Sequence, residues 1–388
     1  MEIQMIRKTW IGATAAVALT LTLSACGGGG LAAGGGGDGG KGDIRLGMAA
    51  PLSGSSAAIG PYMKNGAQLA IDEINAAGGV LGRKLELVPE DDACDPRTAA
   101  SAAAKLVTEG VTVSVGGYCS SATLPTLSIF NKADVPMIIP AANSNDLVKS
   151  KLSNVFLLNG TGAQQAQAAV DYIKSSGAKA VALADDNTSY SKDISTRTGE
   201  KLGAAGSVKI VDHESVTAGE SDYSAAVTSI LNAKPDFVYW TGYYQEGGLL
   251  IKQLRAAGYT GKIMVADGSV DEQMISIAGA ANAQGVLATM TQTPQTIAGG
   301  EKWIADYKAA FKADPGPYST QSYDAVRVAA EAIKKANSTK GGDIVAALEK
   351  IDGFPIFSGK LKFTPEHTLS EGGFGILVVQ GNTFALNK

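Results

Sequence analysis

Two short stretches carry residue types suited to holding a small polar molecule: Asp91-Asp92-Ala93-Cys94-Asp95-Pro96 and Gly116-Gly117-Tyr118-Cys119-Ser120-Ser121. Each follows an apolar run, Leu85, Leu87 and Val88 before the first and Val111, Val113 and Val115 before the second. Pro96 suits the first turn of a helix with Asp95 as its N-cap, and Ser120 or Ser121 is a candidate cap for a second helix. A strand end feeding a helix start places free N–H groups where a small anion can sit. Ser120 can add a hydroxyl to such a nest. Asn143, in the cluster Asn143-Ser144-Asn145, can donate and accept through its amide, or simply belong to a turn. Asp267 follows the apolar run Ile263-Met264-Val265 and precedes Gly268. It is either a turn residue or the buried carboxylate that an ammonium group requires.

The elements that must position these groups alternate regularly. Strand patterns fall at Ile44–Met48, around Leu85, at Val111–Val115, Val135–Ile139, Phe156–Leu158, Val181–Ala184, Lys209–Val211, Phe237–Tyr239, Ile263–Val265 and Gly285–Leu287. Between them lie helical stripes such as Ala67, Ala70, Ile71 and Ile74, closed by Gly78-Gly79. Further helices are predicted at 122–131, 164–176, 223–231, 247–257, 303–311, 323–336 and 344–348, with a final strand pair at Leu361–Phe363 and Gly375–Val379. Strand–helix alternation with runs of this kind predicts an α/β protein of mainly parallel sheets flanked by helices.

The pair D-D-A-C-D-P and C-S-S, followed by Pro140-Ala141-Ala142, resembles the leucine/isoleucine/valine-binding proteins, the extracytoplasmic receptors of branched-chain amino-acid ABC importers. The resemblance continues through Thr217–Tyr223, Pro235–Tyr239, Gly242-Tyr243-Tyr244 and Arg255–Gly258, and so spans nearly the whole chain after its leader. It implies a two-lobed periplasmic-binding-protein type I fold with a three-strand hinge. Lobe one would take residues 43–161 and 290–371, lobe two 162–289 and 372–388, with crossovers near Thr161, Thr289 and Glu371. It also implies site residues: Ser120 for the α-carboxylate, the Ala141 backbone and the side chain at Asn143, and Tyr190 and Tyr243 closing over the ligand. Asp267 would meet the α-ammonium. The family usually has threonine where this chain has Asn143 and glutamate at Asp267, and some relatives carry tyrosine where this chain has Ile59. Tyr118 fits core or pocket equally.

With 388 residues the chain has room for two domains, each with its own core. A net charge of −4 with mixed signs gives no reason to expect nucleic acid as a partner. Arg7 and Lys8, an apolar run from Trp10 to Leu23 and then Leu23-Ser24-Ala25-Cys26 read as an export signal over 1–25. Cys26 after small residues resembles a lipobox cysteine, and residues 26–42 read as a glycine-rich tether. A protein held by lipid in the periplasm or on the outer face of the cell membrane is expected, monomeric and touching the membrane only through that anchor. If Cys26 takes lipid, Cys94 and Cys119 remain in an oxidising compartment where a disulfide is expected, and the resemblance pairs them too. Two thiols with only two histidines in the chain argue against a metal site.

Enzyme signatures are incomplete. Ser189-Tyr190-Ser191-Lys192 spells S-x-x-K without the companion motifs of a penicillin-type site. No P-loop, G-x-S-x-G or H-E-x-x-H occurs, and neither His213 nor His367 sits in a motif that would make a triad. The expectation is a non-enzymatic receptor without a cofactor, whose partners are a branched-chain amino acid and the permease subunits of an ABC transporter. The alternatives are a ligand-sensing receptor subunit, or a binder of another amino acid or of a small carboxylate or amide.

Overall fold

Apolar strands alternating with amphipathic helices are resolved by the chain into two helix-covered sheets and one hairpin. A computed structural model describes residues 42–371 and 373–387. The export signal, Cys26 and all but the last residue of the tether lie outside the described residues. The first sheet is built from β1 (Ile44–Ala50), β2 (Leu85–Asp91), β3 (Val113–Ser114), β4 (Met137–Ile139) and β5 (Val155–Leu157), in the order β2-β1-β3-β4-β5 and parallel throughout. The next five strands, β6 (Ala180–Asp185), β7 (Lys209–Ser215), β8 (Phe237–Trp240), β9 (Lys262–Val265) and β10 (Leu287–Met290), are parallel to one another in the second sheet. A hairpin, β11 (Asp352–Ile356) and β12 (Gly359–Lys362), stands apart, and β13 (Gly375–Gln380) and β14 (Thr383–Leu386) complete the second sheet as β14-β13-β10-β9-β8-β6-β7.

The chain passes between the sheets three times: between β5 and β6, after β10, and before β13. After β10 the helix Ser319–Ala336 packs on helix Ile59–Ala76 and on β4, which returns the tail to the first sheet. The two helix backbones approach so closely at Gly66 that a Cβ there would lie 2.0 Å from the Ser319 carbonyl oxygen. Leu46, Met48 and Phe156 are fully enclosed in the first half, and Phe237, Tyr239 and Trp240 in the second. Burial of side chains this size contributes roughly 1.5–3 kcal/mol each.

Three sequence expectations need correcting. The pairing expected between Leu361–Phe363 and Gly375–Val379 does not form. Leu361 pairs with Phe354 in the hairpin, while β13 runs antiparallel to both β10 and β14. Alternation marks a strand but says nothing about its partner. The run beginning at Val111 forms a regular strand only at Val113 and Ser114, although the Val115 and Gly117 N–H groups still donate to the Gly47 and Ala49 carbonyls of β1, and Gly116 between them lies so close that a Cβ would sit 2.4 Å from the Ala49 carbonyl oxygen. Finally, helix Tyr244–Ala256 begins three residues before the expected Gly247, since Gly247 and Gly248 lie inside it against Trp240 and Ile277.

The histidines have structural partners. His367 stacks on Phe156 at 4.1 Å, and His213 on the edge strand β7 is 2.7 Å from an oxygen of the buried Asp185. That hydrogen bond raises the His213 pKa. Burial works to raise the Asp185 pKa, but hydrogen bonds from His213, Ser195, Ser215 and the Asn187 N–H outweigh it and hold the carboxyl below its ordinary value. A raised histidine stabilises the fold fully below its unfolded value of about 6.5, and the stabilisation fades as pH rises through the folded value. Asp185 sets the acid edge, where the stabilisation is lost as pH falls through its lowered value. Denaturant unfolding of wild type and His213→Gln should therefore show the widest stability gap in mildly acidic solution and a narrower one in alkaline solution. A gap that is the same at both would contradict the pairing.

Candidate functional site

The carboxyl ends of β1, β3 and β4 in one sheet and of β6, β8 and β9 in the other carry loops that meet across a cleft. Ser189 N–H donates to Ser121 Oγ at 3.0 Å, Asn145 N–H to an Asp193 oxygen at 3.0 Å, and the Tyr244 hydroxyl to the Ser55 carbonyl at 2.6 Å. The Tyr118 hydroxyl reaches the Gly268 carbonyl at 3.4 Å. The cleft is thus closed in this structure, and its inner residues are shut away from water.

On the first-sheet side, Asp91 and Asp92 shape the rim. Asp91 Oδ1 accepts from the Leu52, Ser53 and Ala93 N–H groups, and Asp92 Oδ1 from Cys94 N–H. The acidic run is therefore occupied in holding loops, and Glu90 pairs with Lys105 at 2.6 Å. Among the described residues no group of three or more His, Cys, Asp or Glu is placed to hold a metal ion. Asp92, deeply buried, has its pKa pushed up to about 6 by loss of water. Asp95 caps the helix from Pro96, accepting from Thr98 N–H at 2.8 Å. Cys94 and Cys119 form a disulfide with Cα atoms 5.4 Å apart, tying the two rim loops together.

The second helix differs from expectation. Cys119 occupies its N-cap position and Ser120 is its first residue, with no side-chain cap. Ser120 Oγ instead accepts the Ser144 N–H at 3.2 Å, which leaves its own hydroxyl hydrogen to donate. Ser120 is fully buried at a helix start, an arrangement suited to one carboxylate. Ala141 and Asn143 lie beyond β4, both buried, and the Ala141 carbonyl accepts from Asn159 Nδ2 at 2.9 Å.

On the second-sheet side, Asp267 opens a single helical turn, Asp267–Ser269, just after β9. It is 1% exposed. Tyr190, in the first turn of helix Ser189–Ala205, donates to Asp267 Oδ1 at 2.5 Å and accepts the Gly268 N–H at 2.7 Å. Gln165 Nε2 donates to the same oxygen at 2.8 Å. Asp267 Oδ2 is buried without a hydrogen-bond partner. Burial raises the carboxyl pKa against the opposing pull of Tyr190, Gln165, Tyr318 and the Gly268 N–H. Gly268 has no room for a side chain: a Cβ would lie 2.9 Å from the Tyr190 ring and 3.0 Å from that of Tyr243.

Tyr190 and Tyr243 stack obliquely with centroids 5.0 Å apart, and Tyr118 adds to Tyr243 at 5.7 Å and to Tyr318 at 5.4 Å. Burial lifts all four phenols well above their ordinary pKa, so they are neutral. All the expected ligand residues thus border this cleft or its rim loops, and Ile59 is buried at the start of helix Ile59–Ala76. Sequence reasoning missed Gln165 and Tyr318 and left Tyr118 undecided. Gln165 had a readable signal: it is a polar residue on the buried stripe Gly162, Gln165, Ala166, Ala169, Val170, Ile173. Tyr318, in left-handed backbone (φ 63°) after Pro315-Gly316-Pro317, gave none.

Comparison with known proteins bears on this geometry. The family model described as periplasmic binding protein matches residues 43–381. The Leu/Ile/Val-binding protein BraC3 of Rhizobium johnstonii is 35% identical over 86% of this chain and 91% of its own length. The leucine-, isoleucine-, valine-, threonine- and alanine-binding protein of Pseudomonas aeruginosa is 32% identical over 86% and 89%. Among solved structures, the leucine-binding protein LivK of Thermotoga maritima superposes with a TM-score of 0.82 at 27% identity, covering 89% of this chain and 98% of its own. The branched-chain amino-acid transporter substrate-binding protein LivJ of Streptococcus pneumoniae, in complex with isoleucine, gives 0.78 at 29% identity over 89% and 100%.

Proposed function

The chain belongs to the periplasmic binding protein family, and from that premise we propose that it is the extracytoplasmic receptor of an ABC importer for branched-chain amino acids. The observation that carries the reading is the fully buried Asp267 oxygen without a partner, in the same closed cleft as a helix start with the Ser120 hydroxyl free to donate. A carboxylate removed from water without a counter-ion is costly, and an α-ammonium supplies the missing charge. An α-carboxylate fits the donors at Ser120. The neutral rings of Tyr190, Tyr243, Tyr118 and Tyr318 offer apolar faces to an aliphatic side chain.

In this reading residues 43–161 and 290–371 form one lobe and 162–289 with 372–388 the other. The ligand docks first on Ser120, Ala141 and Asn143, and the three crossings flex to bring Tyr190, Tyr243 and Asp267 over it. The closed form is what the permease recognises. Cys26 carries lipid, and residues 26–42 leash a monomer to the membrane outside the cytoplasm. Lipid on the mature N-terminus by mass spectrometry, and release of Cys26→Ser from the membrane fraction, check the anchor.

The reading of the ligand is tested by thermal shift across the amino acids, small carboxylates and amides. A ligand at a hundred times its dissociation constant stabilises by about 2.7 kcal/mol. Leucine, isoleucine and valine should give the largest shifts. Stabilisation by a carboxylate without an amino group, and by no amino acid, would overturn the proposal. The P. aeruginosa relative takes threonine and alanine as well. The Tyr118 and Tyr318 phenols bring polar groups to this cleft, so a preference within the panel for a smaller or hydroxylated amino acid would redirect the ligand while keeping the receptor.

A further inference from the structure

One bond across the closed cleft joins no residue assigned to the ligand. Tyr244 is the first residue of its helix and is buried, and its hydroxyl leaves the second-sheet side to donate to the Ser55 carbonyl at 2.6 Å. Burial raises the phenol pKa, while the Ala58 N–H, just ahead of helix Ile59–Ala76, faces the same oxygen and pulls the other way. The hydroxyl is therefore seated in a socket of backbone, with an acceptor at one end of the turn and a donor at the other. Both sides of this contact are braced. Asp91 Oδ1 accepts the Leu52 and Ser53 N–H groups at 2.9 and 3.1 Å, and Oδ2 accepts the Ser53 hydroxyl. Ala57 N–H closes on the Gly54 carbonyl at 3.2 Å, and Gly60 lies so close behind the turn that no Cβ fits against the Pro51 carbonyl. On the second-sheet side Ser269 Oγ donates to the Gly242 carbonyl at 2.9 Å and Trp240 Nε1 to the Tyr243 carbonyl at 3.1 Å. Tyr243, next in the chain to Tyr244, carries the ring that packs on Tyr190 and Tyr118. A single peptide unit thus joins the ring cluster of the cleft to the socket.

The Asn145–Asp193 contact is placed differently. It lies beside the first crossing: the Asp193 carboxylate fills the space a Cβ at Gly162 would need, and the Gly162 and Ala163 N–H groups bond to Asn143 and Asn145. A contact beside a hinge moves little as the two sides turn about it. Tyr244 and the turn at 51–58 belong to segments that hold none of the three crossings. Their hydrogen bond is lost once the two sides part by about 1 Å. We infer that Tyr244 is the latch of the closed cleft, and that Asp91 is a positioning residue that holds the latch's socket. The inference rests on the receptor reading above and adds residues that retain the ligand without touching it. A latch that forms after docking lengthens the life of the complex and leaves the docking rate alone. It also favours to the same extent every ligand that permits closure.

Stopped-flow association and dissociation of leucine, isoleucine and valine test this on wild type, Tyr244→Phe, Asp91→Ala and the double variant, each first checked for folding by its thermal transition without ligand. Tyr244→Phe keeps the ring and removes the hydroxyl. It should speed release of all three ligands by about 3- to 10-fold, the range of one neutral hydrogen bond, with association unchanged. Asp91→Ala should also speed release, and this effect should shrink in the Tyr244→Phe background, because both substitutions break the same contact. Should Asp91→Ala not fold, the milder Ser53→Ala, which removes the bond to Oδ2, takes its place in the same cycle. Release factors that differ among the three ligands would mean that Tyr244 meets the ligand side chain, and would overturn the latch. Effects of the two substitutions that simply multiply would assign Asp91 a merely structural role and overturn its part. Unchanged release from Tyr244→Phe overturns the latch and leaves the receptor reading intact. Wild type that binds none of the three amino acids overturns the receptor reading itself.

Discussion

Asp267→Ala is expected to weaken amino-acid binding by about 30-fold to several thousand-fold, equivalent to roughly 2–5 kcal/mol. The size follows from what is left behind. In the closed cleft Asp267 is 1% exposed, and the tyrosines and Gln165 around it are neutral donors. Without the carboxylate an ammonium group would be enclosed with no counter-charge, which is the costly way to break a buried pair. Ser120→Ala should be milder, because the backbone N–H groups at the start of helix Ser120–Lys132 remain to hold a carboxylate. Calorimetry with leucine on the two variants gives the comparison. Equal affinity of Asp267→Ala and wild type would mean that the carboxylate only shapes the turn before Gly268.

Removing the disulfide with Cys94→Ser and Cys119→Ser should lower unfolding stability by about 3.5 kcal/mol, the chain-entropy value for a closed loop of this length. The bridge spans a sequence separation of 25 and pins two loops of the same rim. Ala93 and Cys94 both hold left-handed backbone, at φ 48° and 57°, a conformation unfavourable for side-chain-bearing residues unless surrounding contacts impose it. Asp91 and Asp92 impose it by accepting their N–H groups, and the bridge fixes the result. Ser120 follows Cys119 directly, so ligand affinity should fall as well as stability. Denaturant unfolding of wild type and the double variant, under oxidising conditions, measures the difference. Indistinguishable midpoints and slopes would show that the bridge adds nothing beyond the hydrogen-bonded corner.

Local chemistry explains what the sequence determined by itself. Period-two and helical-period apolar patterns define which segments become strands and helices, because burial of one face decides each element. Asp95 before Pro96 marks a helix start for a reason internal to a few residues. The same holds for Ser120, Asn143 and Asp267 as candidates, since each follows the end of a strand and parallel sheets gather such ends on one edge, whereas Tyr190 and Tyr243 were implied only by the family resemblance. Tertiary structure decided what depends on distant segments. Strand pattern could not say that β13 would lie antiparallel against β10, nor that Leu361 would find Phe354, because pairing is fixed by neighbours outside the strand. It could not show that Ser120 would accept from Ser144 in place of capping its own helix. Least of all could it orient the Asn143 amide, since that direction passes from Asp267 through Gln165, residues that folding alone brings within hydrogen-bonding distance.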